Sequence, residues 1–358
     1  MPLYILLFYY FKILLFLCFI FYSLVLFIMI FFLVCWYFFL GVWFFSYCFP
    51  NYYFSELFLS FLPYHIVLLV VGLVLLFFLF RFYSKNQLFV KRFFTGLLFL
   101  GFALLFFFFS KKFTLFYQFP VEQIDQEMTW GIKVLYANIY KNNQEYLEIE
   151  NLIEKENPDL IFFVEFADHH YQQLKDILEE KYPYSNSTIR SQKYVGNMVF
   201  SKKQIDNRAD DFPQWAWRYW YFSISYNDKP LYFYLVHASS PSSYKYFSMR
   251  NQQISTFFED FDMHKVQHRE QHDKVIVVGD FNTTPWSQYY WNFAQWFSGE
   301  FVNITRSVPL LFTRKLTSIP LFWAHIDHIF ANKLVSIKDF HLVDIPGSDH
   351  KWFSFLIK

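Results

Sequence analysis

An α/β domain preceded by an all-α transmembrane region is the architecture this sequence predicts, on three observations. Composition changes sharply near residue 112. Beyond that point strand and helix patterns alternate, and the most apolar strand runs each stop on a polar group.

Across residues 1–112 the only charges are Lys12, Glu56, Arg81, Lys85, Lys91, Arg92, Lys111 and Lys112. A spanning helix needs roughly 20 mainly apolar residues, and about 17 can suffice. The uncharged stretch Ile13–Pro50 and the apolar runs Ile66–Phe80 and Phe93–Phe109 therefore predict about three transmembrane helices, the first run being long enough for one pass or two. A cleaved signal peptide has an apolar core of only about 7–15 residues, which this stretch far exceeds. Arg81, Lys85, Lys91 and Arg92 lie between the second and third runs, whereas Asn51–Tyr64 holds no Lys or Arg. The positive-inside bias thus predicts a multi-pass integral membrane protein with its second linker cytoplasmic and the C-terminal domain extracytoplasmic. Cys18, Cys35 and Cys48 all lie in or beside the first run, so the remainder needs no disulfides and has no thiolate for zinc.

The formal charge of +1 conceals a second division. Removing the seven basic residues and one acidic residue of the first 112 from the chain's 31 and 30 leaves 24 basic and 29 acidic, a balance of −5. Enzymes that track nucleic acid without sequence preference depend on Lys and Arg contacts to phosphates, and this part of the chain lacks the bulk field for that.

Residues 113–130 read as a polar linker, and 131–358 as a separate domain. Ile132–Ala137 alternates as a strand. Leu147, Ile149, Leu152 and Ile153, set among Glu and Asn, predict an amphipathic helix that stops before Pro158. Leu160–Val164 predicts the next strand and His169–Lys181 the next helix. Further on, Val195–Ser201 reads as a short strand, Tyr219–Tyr226 and Leu231–Val236 as a hairpin turning at Asn227 and Asp228, and Tyr244–His264 as a helix. Trp215, Trp217, Tyr219 and Trp220 are assigned to core packing ahead of a lipid-gripping or base-stacking use.

Residues 275–285, V-I-V-V-G-D-F-N-T-T-P, carry the strongest functional signal. Consecutive apolar residues require a sheet covered on both faces, and Gly279 is read as the point where the backbone turns out to present Asp280 and Asn282. Similar fragments occur in order. V-L-Y-A-N ends on Asn138, P-D-L-I-F-F-V-E on Glu165, and Y-F-Y-L-V-H-A-S-S-P passes through His237; H-I-D-H-I-F and G-S-D-H-K-W-F-S-F supply Asp327, Asp349 and His350. This ordered set resembles the endonuclease/exonuclease/phosphatase superfamily, the DNase I-like fold, over roughly residues 130–358.

The resemblance implies a four-layer α/β sandwich that hydrolyses phosphoesters with a divalent cation, Mg2+ or Mn2+. By position it assigns Glu165 as principal metal ligand, assisted by Asn138, with Asp349 near the metal. Asp280 and Asn282 match the water and phosphate site: the carboxylate orients or deprotonates the attacking water and the carboxamide donates to a phosphate oxygen. His350 matches the catalytic histidine and Asp327 its orienting carboxylate. His237 matches the position that contacts the scissile phosphate, although Pro241 follows at a looser spacing than usual. Asn197 matches a glycine-led strand of the family; His328, adjacent to Asp327, falls on the opposite face under strand alternation, and neither it nor His325 is assigned a role.

The expected function is a membrane-anchored phosphoesterase acting on a phosphoester substrate such as a lipid head group or envelope molecule. A membrane-tethered nuclease is the alternative within the enzyme class, with nucleic acid disfavoured by charge. A non-catalytic receptor or scaffold of the same fold is the alternative outside it. The bilayer is the expected partner, and no obligate protein partner is evident.

Overall fold

Two units partition the chain, Met1–Phe113 and Thr114–Lys358. The computed structural model describes residues 3–83, 95–96, 99, 103, 106, 131–186, 196–207, 219–268, 273–296, 300–307, 311–316 and 322–358. The linker expected at 113–130, most of the third apolar run, Val195, Trp215 and Trp217 lie outside these residues.

In the first unit, helix α1 (Leu3–Cys48) runs unbroken through the stretch for which either one or two passes were open. Its Phe8–Ser46 segment is long and apolar enough to cross a membrane. At 1.5 Å per residue the 46-residue helix is about 69 Å long, more than twice a hydrocarbon core of roughly 30 Å. Trp36, Leu40, Trp43 and Ser46 share one helical face and are buried, while most of the remaining described surface of α1 is exposed apolar side chain. Helices α2 (Tyr53–Ser60) and α3 (Leu62–Tyr83) follow. Tyr53–Ser60 and Leu62–Gly72 meet at a 62° bend, so they make a second candidate span only if taken together.

The second unit is four layers deep. One six-stranded sheet has the order β13-β14-β1-β2-β4-β3 and the other the order β5-β6-β7-β8-β12-β9. In the first, β1 (Ile132–Asn138) runs parallel to β2 (Leu160–Phe166) and antiparallel to β14 (Trp352–Ile357). It is completed by β3 (Tyr184–Ser185), β4 (Gly196–Ser201) and β13 (Ile337–Val343). In the second, β7 (Lys229–His237) is parallel to β8 (Lys274–Asp280), which pairs antiparallel with β12 (Asp327–Asn332). Strands β5 (Ile205–Asn207), β6 (Tyr219–Tyr226) and β9 (Phe301–Asn303) complete it. The β6–β7 hairpin turns on Asn227 and Asp228 at φ 53° and 59°, the left-handed pair that matches strand twist.

The sheets pack face to face through Val134, Tyr136, Phe162, Phe233, Ile276, Val278 and Ile329. Helices α4 (Tyr146–Glu156) and α5 (Asp168–Lys181) cover the outer face of the first sheet, where Ile149, Ile153, Leu174 and Leu178 meet Leu135, Ile161 and Trp352. Helices α6 (Tyr244–His268) and α7 (Gln288–Trp296) cover the second, with Phe257, Phe261 and Tyr290 against Tyr221, Tyr234 and Val277. This is why Val275–Val278 is apolar throughout: alternate residues face the inter-sheet core and the helical layer.

Gly279 behaves differently from expectation. It remains inside β8 at φ 155°, and a Cβ there would lie 1.9 Å from the Val236 carbonyl oxygen. Its role is to let β7 approach β8, not to turn the chain.

Candidate active site

Strand ends from both sheets deliver the polar groups to one end of the sandwich. Asp280 closes β8, where it is in register with His237 at the end of β7 and with Asp327 at the start of β12. From the opposite sheet, Asn138 closes β1 and His350 precedes β14. Asn138, Asp280, Asp327 and His350 are all buried.

His350 Nδ1 lies 2.9 Å from Asp327 Oδ2. Asp327 Oδ1 accepts from the Tyr136 hydroxyl at 2.7 Å, and the Asp327 backbone N–H donates to Thr313 Oγ1 at 3.2 Å. The other imidazole nitrogen, Nε2, faces Asn138 Nδ2 at 3.4 Å and Asp280 Oδ2 at 3.8 Å. Asn138 Nδ2 also donates to Asp280 Oδ2 at 3.2 Å, while its Oδ1 accepts from the Tyr140 N–H. Ser348 ties these segments together, donating to the Asn138 carbonyl at 2.8 Å and accepting from the His350 N–H at 3.0 Å.

The electrostatics follow from burial. Burial, reinforced by the nearby Asp327 charge, pushes the Asp280 carboxyl up to about 7 against the opposing pull of His350 and Arg314. Burial alone would lower His350, but Asp327, with Asp280 and Asp349, lifts it to about 9. Asn138 works the other way, since it offers a donor to a nitrogen that accepts only when neutral. Burial raises Asp327, yet His350's charge and hydrogen bond hold it below the usual carboxylate range.

Glu165 reaches the site by a local irregularity. The β2–β4 register shifts between Phe163 and Phe166, and Glu165 adopts φ 60°. Phe163 and Phe166 consequently pack in the same outer cluster although three residues apart. Strict alternation would put Glu165 on that outer face as well; the bulge re-aims it. Its Oε2 accepts from the Lys141 N–H at 3.1 Å and its Oε1 lies 3.8 Å from His237 Nε2.

Asn282, also left-handed at φ 49°, donates Nδ2 to the Ala238 carbonyl at 2.9 Å. Its backbone N–H donates to Asp280 Oδ1 at 2.8 Å. Asp349 pairs through Oδ2 with Arg314 Nε at 3.1 Å. Asn197 lies on β4 and donates to the Leu235 carbonyl at 3.4 Å. His328 is buried on the other side of β12, bonded to the Thr283 carbonyl and packed against the His325 ring at 4.7 Å with the planes tilted by 31°; burial drives His328 down to about 4.

Tyr136, Thr313, Arg314 and Ser348 escape the sequence reading. Tyr136 had a signal, because it shares alternation parity with Asn138. Arg314 and Thr313 had none, since their partners are distant in the chain.

The ligand atoms of Asp280, Asp327 and His350 lie within 4.8 Å of one another, a spacing that suits a shared ion. His350 and Asp327 are, however, already bonded to each other. Glu165 Oε1, which makes no hydrogen bond among the described residues, is a more available hard oxygen donor, and Asn138 Oδ1, which accepts one bond from the Tyr140 N–H, keeps a second lone pair. They fit a cation that prefers oxygen ligands.

A four-layer sandwich with an Asp-supported histidine and a carboxylate cluster between its sheets defines a hydrolase-type site of the DNase I-like class. The sequence pattern of the Endonuclease/Exonuclease/phosphatase family matches residues 135–350, and the chain belongs to that family. No curated protein matches it by sequence. Solved structures similar to it include a humanized D. rerio TDP2, at 13% identity over 64% of this chain and 99% of that one with a TM-score of 0.49. SmcL is similar at 16% identity over 64% and 100%, with a TM-score of 0.48. A mutant of beta toxin from Staphylococcus aureus with bound magnesium ions is similar at 16% identity over 63% and 99%, with a TM-score of 0.42.

Proposed function

We propose that this chain is a membrane-anchored, divalent-metal-dependent phosphoesterase that hydrolyses phosphodiester bonds with activated water. The observation that carries this reading is the Tyr136–Asp327–His350 chain aimed at Asp280 and Asn138 between the two sheets. Glu165, Asn138 and Asp349 would hold Mg2+ or Mn2+, which when bound neutralises charge on the phosphoryl group and stabilises the leaving oxygen.

The chain's own residues supply the rest. Asp280, with its carboxyl raised to about 7, is suited to orient the attacking water and take its proton near neutral pH. Asp327 holds the Nδ1–H of His350, so Nε2 faces the reacting centre in a fixed orientation. His237, beside Glu165, contacts the scissile phosphate, and the N–H of Asn282 not used by Ala238 donates to a phosphate oxygen. Burial of these groups excludes water that would screen them.

The substrate we favour is a phosphodiester presented by the bilayer, such as a lipid head group or envelope molecule. The −5 balance of residues 113–358 disfavours polyanions, and the apolar N-terminal region supports anchoring. Nucleic acid is the second reading, as the family includes nucleases. The arrangement we propose has several passes with the catalytic part extracytoplasmic. Reporter fusions after Lys112 test it, and a signal from a cytoplasmic-only reporter would reverse it.

The decisive experiment uses full-length protein in phospholipid vesicles, given embedded phosphodiesters and, separately, plasmid DNA and RNA at equal phosphate. Faster lipid hydrolysis is expected. Vigorous DNA cleavage, enhanced at low salt and without action on the vesicles, would make the protein a surface nuclease. Inactivity of metal-supplemented protein on every substrate would favour the scaffold reading.

A further inference from the structure

We propose that Arg314 is a substrate-binding residue that grips the phosphoryl group and presents it to His350 and Asp280. The inference rests on the phosphoesterase reading and adds to it a cation that the family's ordered motifs do not include.

The backbone at Arg314 is fastened to both segments that carry the His350–Asp327 pair. Arg314 itself bridges antiparallel to His350. The Lys315 N–H donates to the Asp349 carbonyl at 2.7 Å, and the Lys351 N–H to the Thr313 carbonyl at 2.7 Å. On the other side, Thr313 Oγ1 accepts from the backbone N–H groups of Ile326 and Asp327 at 3.1 and 3.2 Å. Strand β10 (Arg314–Lys315) pairs with β11 (Trp323–Ala324), which leads into Asp327. The Cα of Arg314 is therefore set relative to the histidine and its carboxylate by several short backbone contacts.

The side chain points into the same cluster. Nε donates to Asp349 Oδ2 at 3.1 Å, and Nη1 reaches Asn282 Oδ1 at 3.5 Å. Nη2 makes no hydrogen bond among the described residues, and the side chain is 28% exposed. Asp280 and Glu165 are near enough, with Asp349, to hold the guanidinium firmly charged despite burial. A counterion for Asp349 alone would need neither the approach to Asn282 nor the tether to both halves of the pair. A planar guanidinium with donors still available, beside an oriented imidazole and a water-activating carboxylate, suits two phosphoryl oxygens at once. Lysine, as a point charge, cannot reproduce that fork.

The test uses full-length protein in detergent, comparing wild type with Arg314→Gln and Arg314→Lys. Binding of inorganic phosphate is measured by calorimetry, and hydrolysis of bis(para-nitrophenyl) phosphate with magnesium gives kcat and KM. Arg314→Gln should weaken phosphate binding at least ~10-fold and lower kcat/KM on the order of 100-fold, with Arg314→Lys intermediate in both. Unchanged phosphate affinity, or unchanged kcat/KM, in Arg314→Gln overturns the proposal. Should the glutamine variant fail to fold, Arg314→Lys decides on the same two readouts, because it keeps a charge opposite Asp349. A wild type that binds phosphate through Arg314 yet hydrolyses no phosphoester would overturn the enzymatic reading and leave the binding assignment standing. Hydrolysis that is indifferent to Arg314 would do the reverse.

Discussion

The Tyr136 hydroxyl donates to Asp327 Oδ1 at 2.7 Å across the inter-sheet core, leaving Oδ2 of the same carboxylate to His350. One carboxylate thereby links β1 of the first sheet, β12 of the second and the loop before β14. The site and the sandwich core are held by the same contact. Tyr136→Phe preserves the packed ring but deletes a bond to a charged acceptor, so it should cost about 1.5–3 kcal/mol of stability. A modest loss of rate should accompany it. Unfolding by denaturant measures the first, and an unchanged midpoint would show that the hydroxyl contributes nothing.

The His350–Asp327 pair should act as one unit. Asp327→Asn and His350→Ala are each expected to lower kcat by about 10²- to 10⁴-fold, with the double variant little worse than either single. Steady-state kinetics on the four proteins of the cycle settle this. Multiplicative losses would assign the residues separate roles.

Metal dependence should show oxygen-ligand character. Chelation is expected to abolish turnover and magnesium or manganese to restore it, while Glu165→Gln raises the metal concentration for half-activation or eliminates activity. Full turnover by chelated protein would remove the metal from the reaction.

Stability of the chelated protein should fall as pH rises from about 6.5 through 9. His350 is lifted from 6.5 to about 9, so between these values the folded state holds a proton that the unfolded state has released. The contribution is complete below the unfolded value and lost above the folded one. Asp280, raised to about 7, acts in the same direction over the range from about 4 to 7. Melting temperatures across pH 6–10 test this, and Asp327→Asn should flatten the upper part of the profile. An identical slope in that variant would rule His350 out as its source.

Gly279→Ala probes the close approach of β7 and β8. A Cβ placed 1.9 Å from the Val236 carbonyl oxygen cannot be absorbed by a side-chain rotation. The substitution should destabilise by more than about 3 kcal/mol or prevent folding, since the clash is with backbone. A melting temperature within a few degrees of wild type would mean that the two strands can separate locally.

Much of this arrangement was legible from sequence because strand alternation is local. Asn138 follows Val134 and Tyr136 at steps of two, Asp280 follows Ile276 and Val278, and Asp327 precedes Ile329 and Ala331. In each case the polar group shares parity with residues that pack between the sheets. Period-two patterning carries that information without reference to any other part of the chain. The apolar character of α1 was equally legible, since it depends on composition alone.

Tertiary structure decided what parity could not. Glu165 stands on the wrong parity and reaches the site only through the register shift against β4 and its left-handed backbone. Gly279 read as a turn until β7 was placed 1.9 Å from where its Cβ would stand. Arg314 had no local signal, because its role comes from Asp349 and Asn282, brought to it by pairing with the His350 and Ala324 segments. Alternation is set by one strand's own backbone, whereas a bulge, a close strand approach or an ion pair exists only once a second strand is in place.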